Sequence, residues 1–526
     1  MANSAVMIGS RIECEGARGT VKWIGEIPTT QGQWYGIDWD DAARGRHNGS
    51  HNGVKYFETR FPTSGSFVRP TKVSTGISLE AAVRGRYQGD TAVELQVTEQ
   101  LQRTIKARFV EVVGMDQVAE KQGRLEELDT VILTGSMVWG TDECDLQIIL
   151  PKLQHLDISN SLLSSWSSVG CITRQLPCLR LLNISGNLLD VPKCPNDLQE
   201  SVGHITHLVL NNMMVYTWQD FLTCSSMFPK LSRLQVAFNN LKALGQIPAG
   251  LFDTLEELDI GVNPIASWEE VNHLGTIPRL RSLNANGCQL RMIKFPSTST
   301  TGKTTLFPSL KHLMIVNNPL ETWEATGELN KLASLEELVI SYDGNAYPYF
   351  HEFTFARIAN LKVLNRTRLT PKEKRDCELF YLKSFGNEYY SSGGNEDGAT
   401  DALSEDFTHK HPGYAQLVKD LGPPMDETSY NTQKRQKLKN LKIELKIITP
   451  DHPEREEYVK TFLPSIKVAK VKMMLKRQLK INPALPMRLS YSCCKGGKVF
   501  EVVMDNDMQE MAYYSIQAGD TLLVRW

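Results

Sequence analysis

The residues best suited to chemistry lie between Gly19 and Val73, in the run GTVKWIGEIPTTQGQWYGIDWDDAARGRHNGSHNGVKYFETRFPTSGSFVRPTKV. Arg46, His47 and Asn48 stand side by side in a loop bounded by Gly45 and Gly49. They place a guanidinium, an imidazole and a carboxamide at one mouth, all able to donate hydrogen bonds. Arg46 offers a planar fork that matches a carboxylate, whereas donation by His47 depends on its protonation near neutral pH. Trp23, Trp34 and Phe67 supply aromatic surface for an apolar slot beside that mouth. Gly36, Gly45, Gly49, Gly53 and Gly65 meet a need for positive φ and for close backbone approach of a guest peptide. The combination suits a peptide ending in an aromatic residue, with a free carboxylate and acidic residues just upstream.

Signals for catalysis are poor. Gly302-Lys303-Thr304 is the second half of a phosphate-binding loop, but the position of its first glycine is Ser297. The segment also falls where one repeat interval lengthens, so it reads as a surface insertion and not as a strand-to-helix turn. The 11 histidines show no H-x-x-x-H or Cys/His ligand spacing. The 10 cysteines are scattered, and Cys493 and Cys494 are adjacent, where a mutual disulfide would be strained. The expectation is a non-enzyme with no metal and no cofactor, kept in a reducing compartment such as the cytosol.

The elements that must position these groups fall into several segments, as 526 residues are too many for one core. Net charge is −2 with 22% charged residues, which argues against nucleic-acid binding through bulk charge. Residues 1–30 lack a signal-peptide pattern and no apolar run reaches membrane-spanning length. Residues 1–75 are dense in glycine and aromatics with short β-like runs, at Gly19–Ile24, Trp34–Trp39 and Val54–Phe57, which predict a small all-β barrel.

From Leu128 to Arg366 the frame L-x-x-L-x-L recurs, for example Leu153-Leu156-Ile158, Leu179-Leu182-Ile184 and Leu255-Leu258-Ile260. Starts lie about 24–30 residues apart, the interval of a leucine-rich α/β solenoid. Ser136, Asn187, Asn239, Asn263, Cys288 and Asn318 each follow three residues after a last apolar position, placed to bond backbone inside the turn. Trp166, Trp218, Trp268 and Trp323 each follow a Ser or Thr, which predicts capped helix starts on the convex side with the indoles in the core. Ser267 to Glu270 reads as a capping box and Thr217 to Asp220 as a looser one. The third and fifth positions of the frame line the concave face: His155, Asp157, Asn183, His207, Arg233, Gln235, Glu257, Asp259, Asn284 and Glu337, with His312 in the same row. Their mixed charge suits a large protein partner.

Beyond the repeats, residues 361–385 turn helical, as a polar-faced cap on the open end of a solenoid must. SSGGNEDGATDALSED (391–406) reads as a flexible loop and KRQKLKN (434–440) as a solvated basic linker. Residues 441–526 run strand (LKIELKII), amphipathic helix (Val468 to Leu479), then strands MRLSYS and KVFEVV, ending AGDTLLVRW. The expected organisation is a first domain over 1–80, a connecting segment 81–127, repeats 128–366, cap and loop 367–425, a linker 426–440 and a last domain 441–526.

These segments resemble known families. The W-x-G-I-D region, the glycine loop around GRHNG, G-V-K-Y-F and G-S-F-V-R-P resemble a CAP-Gly domain along residues 19–73. That resemblance implies a receptor for C-terminal Glu-Glu-Tyr or Glu-Glu-Phe tails such as that of α-tubulin. The family usually reads GKNDG where this chain has GRHNG, which alters the mouth. The last domain resembles the ubiquitin-like β-grasp fold, here stopping at Trp526 without a Gly-Gly tail. The multidomain α+β order of CAP-Gly barrel, leucine-rich solenoid and ubiquitin-like domain resembles the tubulin-specific chaperone E (tubulin-folding cofactor E) family. It implies a cytoplasmic, cytoskeleton-associated chaperone, monomeric when free, that captures α-tubulin. It would join β-tubulin and other tubulin cofactors in a supercomplex that assembles and dissociates the heterodimer. No nucleic acid, membrane, catalytic residue or cofactor is implied. Competing expectations are a microtubule-associated CAP-Gly adaptor, and a ubiquitin- or proteasome-pathway adaptor acting through the last domain.

Overall fold

Leucines at three fixed places of each repeat can all be buried only if successive coils stack, each hiding its apolar edge against the next. The computed structural model has that form. It describes residues 6–28, 30–88, 124–142, 145–296, 302–320, 325–341, 349–424, 443–482, 485–495 and 498–526. Trp323, residues 297–301, residues 89–123 of the expected connecting segment and the linker 426–440 lie outside the described residues. Among the described residues no helix is long and apolar enough to cross a membrane.

The chain divides into two compact units. The first opens with a four-stranded antiparallel sheet in the order β1 (Arg11–Cys14), β2 (Ala17–Glu26), β3 (Gln33–Trp39), β6 (Gly65–Val68), joined by the hairpin β4 (Ser50–His51) and β5 (Val54–Lys55). Ile12, Val21, Ile37 and Trp39 fill its core. The chain then forms β7 (Ile77–Ser78) and a helix, Leu79–Tyr87. Residues 81–87, expected within a connecting segment, thus lie in that helix. Its Leu79, Ala82 and Val83 are buried in the solenoid core with Leu125 and Val131, so the helix closes the solenoid's first end. Strand β7 pairs with β9 (Val138–Gly140), after β8 (Thr130–Ile132) has opened the repeats.

The repeats contribute β10 (His155–Asp157), β11 (Leu181–Asn183), β12 (His207–Val209), β13 (Arg233–Gln235), β14 (Glu257–Asp259), β15 (Ser282–Asn284), β16 (His312–Ile315), β17 (Glu337–Ile340) and β18 (Val363–Leu364). With β8, and with β19 (Thr367–Arg368) returning antiparallel, they make one 11-stranded sheet. Its parallel pairs keep one register, so residues of equal repeat position form straight rows, such as His155, Leu181, His207, Arg233 and Glu257. Asn187, Asn239, Asn263 and Asn318 stand buried between coils. Asn263 shows why: its Nδ2 donates to Val236 and Ile260 carbonyls (3.0 and 2.8 Å), and its Oδ1 accepts from Asn239 and Leu241 N–H (2.9 and 3.1 Å). One side chain thereby satisfies four backbone groups in two coils that no strand could reach. Cys288, in the same place, has only a thiol for the Ile260 carbonyl.

Trp166, Trp218 and Trp268 begin helices Trp166–Arg174, Trp218–Ser225 and Trp268–Asn272, and all three are buried. The two capping signals exchange roles. Thr217 and Asp220 form the reciprocal box. Ser267 caps Glu269 N–H, while the Glu270 carboxylate turns to the Leu244 N–H of the preceding coil (2.6 Å). A backbone donor in a neighbouring coil, invisible in a local window, captures it.

At the far end Thr370 and Glu373 box the start of helix Pro371–Ser391. The stretch read as a flexible loop is folded: Ser404 N–H bonds the Ser392 carbonyl (2.9 Å), and helices Glu405–Lys410 and Tyr414–Leu421 complete the cap. His411 is buried there with its Nδ1 2.7 Å from the Tyr381 hydroxyl. The second unit carries a five-stranded sheet, β20 (Ile443–Ile448), β21 (Tyr458–Phe462), β22 (Arg488–Lys495), β23 (Lys498–Val503) and β24 (Thr521–Arg525), in the order 21-20-24-22-23. Strands β20 and β24 are parallel, and helix Val468–Gln478 buries Val468, Val471 and Leu475 against the sheet. This is the ubiquitin-like β-grasp, so the chain is a multidomain α+β protein of barrel, solenoid and β-grasp.

Candidate peptide-tail site

Strand β2 brings Trp23 and strand β6 brings Phe67 to one face of the barrel, with Gly36 of β3 paired to both. A side chain at residue 36 would collide with the Phe57 ring 2.4 Å away, so glycine there lets the aromatic layer close. Phe67 is the hub of that layer. Its ring centroid lies 5.7 Å from Trp23, 5.0 Å from His47, 6.1 Å from His51, 5.4 Å from Tyr56 and 5.5 Å from Phe57, mostly edge to face. Trp23 and Phe67 remain half-buried, leaving aromatic surface open to a guest.

The GRHNG loop packs directly on this layer. The N–H groups of Arg46 and His47 donate to the Gly65 carbonyl (2.8 and 3.3 Å), and Gly65 N–H returns to the His47 carbonyl (2.8 Å). Gly49 has φ +89°, and a Cβ there would stand 2.0 Å from the Phe57 carbonyl. A Cβ on Gly45 would strike the backbone of Thr63 and Ser64. These two glycines therefore serve the loop's own packing rather than the approach of a guest. Gly53, with Asn52 before it, takes positive φ in the two-residue turn between β4 and β5, where a Cβ would meet nothing; its role is the turn alone.

His47 is half-buried and its Nδ1 accepts the Gly49 N–H at 3.0 Å. Burial, then the neighbouring His51, holds its pKa below the usual imidazole range. The ring is neutral, with Nδ1 occupied and Nε2–H left to donate. Donation by His47 thus needs no protonation, contrary to the expectation from its type. Arg46 and Asn48 are exposed at the loop's outer edge, and among the described residues Arg46 forms no ion pair. Trp34 stands apart from the aromatic layer: its Nε1 donates to Thr30 Oγ1 (2.9 Å) and the Arg69 guanidinium lies 3.8 Å over its ring.

Sequence reasoning missed two groups. Tyr56, Phe57 and His51 complete the layer around Phe67; the signal for Tyr56 and Phe57 was their place in the G-V-K-Y-F run, and His51 stands two residues before it. Beneath the loop lies a buried charge cluster. Asp38, fully buried, accepts from Arg60 Nε (2.7 Å) and Ser64 Oγ (2.6 Å), while Asp40 takes both Arg60 and Arg11. It anchors residues 60–65, on which the GRHNG loop hangs.

The concave face is a separate surface. His155, Asp157, His207, Arg233, Glu257, Asp259 and Glu337 all stand in its two rows. Arg233 pairs with Glu257 at 3.1 Å and His312 Nδ1 meets Glu337 at 2.9 Å. Burial, then Arg233, lowers the pKa of His207 to about 4, so it is neutral. Lys303 of the incomplete phosphate loop bonds Asn330 in the next coil. Among the described residues no group of three or more His, Cys, Asp or Glu is placed to hold a metal.

The sequence profile of the CAP-Gly domain matches residues 8–73. The chain is 35% identical over 529 residues to the tubulin-specific chaperone E of Danio rerio, spanning 99% of each, and 34% identical over 530 residues to that of Homo sapiens, again 99% of each. The solution structure of the C-terminal ubiquitin-like domain of mouse tubulin-specific chaperone e matches at 34% identity and a TM-score of 0.15, over 18% of this chain and 93% of that one. End-to-end identity at this level places the chain in the tubulin-specific chaperone E family.

Proposed function

We propose that this protein is a tubulin-folding chaperone that holds α-tubulin at two places. The CAP-Gly site takes the acidic, aromatic-ended C-terminal tail and the concave solenoid face meets the globular body. The observation that carries the tail site is the layer around Phe67, open to an aromatic ring, with Arg46 in no ion pair among the described residues and His47 Nε2–H at its edge. The terminal carboxylate is met by Arg46 and by neutral His47, and Asn48 supplies a further donor. The solenoid rows, with amides between carboxylates, provide the second contact, and tethering raises its effective concentration. Joined by β-tubulin and other tubulin cofactors, such a clamp assembles or parts the heterodimer, provided it binds free α-tubulin more tightly than the dimer. The role is cytoplasmic and cytoskeleton-associated and involves no catalysis by this chain, and the ubiquitin-like domain is a docking module. Titrating a Glu-Glu-Tyr peptide into the full chain tests the tail site. Arg46→Ala with His47→Ala is expected to weaken binding at least tenfold, and an unchanged affinity would reject the assignment.

A further inference from the structure

Two or three residues after the concave strand, every coil from β10 to β16 turns through the left-handed region. The seven residues there are Asn160, Gly186, Asn212, Phe238, Val262, Gly287 and Asn317, with φ between +51° and +65°. A hydrogen-bond ladder enforces the turn. Asn160 N–H bonds Ser185, Gly186 bonds Asn211, Asn212 bonds Ala237, Phe238 bonds Gly261, Val262 bonds Asn286 and Gly287 bonds Val316, all at 2.7–3.1 Å. Asparagine and glycine tolerate this conformation, and they hold five of the seven places. A phenylalanine and a β-branched valine do not, and there they are outliers.

The ladder holds both residues in this turn, but their side chains gain little burial in return, since Phe238 is 58% exposed and Val262 47%. The two stand at the same turn position of adjacent coils and form an apolar rim there. Beside it, the rows of β12 to β15 hold two carboxylates, Glu257 and Asp259, against one guanidinium, Arg233, which is paired with Glu257. Asp259 lies in the strand that leads to Val262.

We infer that this rim, centred on Phe238 and Val262, is the contact by which the solenoid docks a folded partner presenting an apolar cluster edged by lysine or arginine. The inference rests on the tubulin reading and deepens it. An acidic tail is the wrong charge for these rows, so rim and CAP-Gly site take different parts of the partner. Strained, exposed apolar residues where asparagine would be at ease are explained by a contact that hides them.

The test uses the full chain with Phe238→Asn and Val262→Asn combined, which installs the residue that other coils carry. Its ligands are tubulin stripped of its acidic tails by limited proteolysis and, separately, the Glu-Glu-Tyr peptide. The variant is expected to melt no lower than the parent and to bind the peptide equally. Its affinity for tail-less tubulin should fall at least tenfold, and Asp259→Lys should weaken that binding too. Undiminished binding of tail-less tubulin by the double variant would overturn the inference, as would failure of the parent chain to bind it. Peptide affinity, measured in parallel, reports separately on the tail site.

Discussion

Arg60 supports the tail site without touching it, and its removal gives a measurable consequence. Arg60→Ala takes the Nε bond from Asp38, whose carboxylate is fully buried, and leaves it with Ser64 Oγ and the Arg60 backbone N–H. Breaking a buried pair from one side costs about 3–5 kcal/mol, because the remaining charge stays desolvated. The Arg60 side chain is 22% exposed, so water can enter its place, and Asp40 keeps its bond to Arg11. The lower end is therefore expected, about 3 kcal/mol. Hydrogen exchange resolved along residues 8–73 of the full chain reads this locally, and at about 1.4 kcal/mol per decade the loss is about a hundredfold faster exchange in β3 and β6. Since the Arg46 and His47 N–H groups hang on Gly65, affinity for the tail peptide should fall with it. Asp38→Asn combined with Arg60→Met removes both charges and should recover most of the loss. Exchange in Arg60→Ala within threefold of the parent would refute the reasoning, as would a double variant no better than the single one.

Asn263→Ala leaves two buried N–H groups, of Asn239 and Leu241, without an acceptor. At about 1–3 kcal/mol each, a loss of about 3 kcal/mol is expected in denaturant unfolding, and Asn263→Cys should lose less, as Cys288 is already accommodated. The buried histidines set a pH dependence. Burial, then Arg357, holds His411 down to about 3, so the folded chain takes up fewer protons than the unfolded one below pH 6.5. Stability is full above that pH and falls as pH drops towards 3, by about 2 kcal/mol from this group between pH 6.5 and 5. His204, His207 and His351, also held low by burial, act in the same direction. Thermal melts from pH 7.5 to 5 check this, and a flat profile would contradict it.

Much of the solenoid is legible in sequence because its signals are local and repeated. The frame fixes the buried rows, and the asparagine position follows from it. Trp166, Trp218 and Trp268 announce their burial by sitting behind a Ser or Thr at constant spacing. What stays hidden depends on contacts between distant segments. Glu270 passes over its own helix start for Leu244 one coil away. Helix Leu79–Tyr87 enters the solenoid core across a long sequence gap. The Gly, Ser and acid-rich stretch 391–406 folds because the cap receives it. At the candidate tail site Trp23, His47 and Phe67 could be singled out by residue type, and the fold brings Trp23 and His47 against Phe67. The tautomer of His47, the isolation of Trp34 and the support from Asp38 and Arg60 arise only once the loop is laid on residues 57–65. Phe238 and Val262 appear in sequence as ordinary apolar residues, and only the left-handed turn they occupy makes them conspicuous.

The central claim is that this chain takes hold of α-tubulin itself rather than the surface of a polymer. Native mass measurement of the full chain mixed with tubulin heterodimer tests it most directly. A complex of the chain with α-tubulin alone, with β-tubulin released, is the predicted result. An intact heterodimer held by the chain, and lost when the tubulin tails are removed, would contradict it.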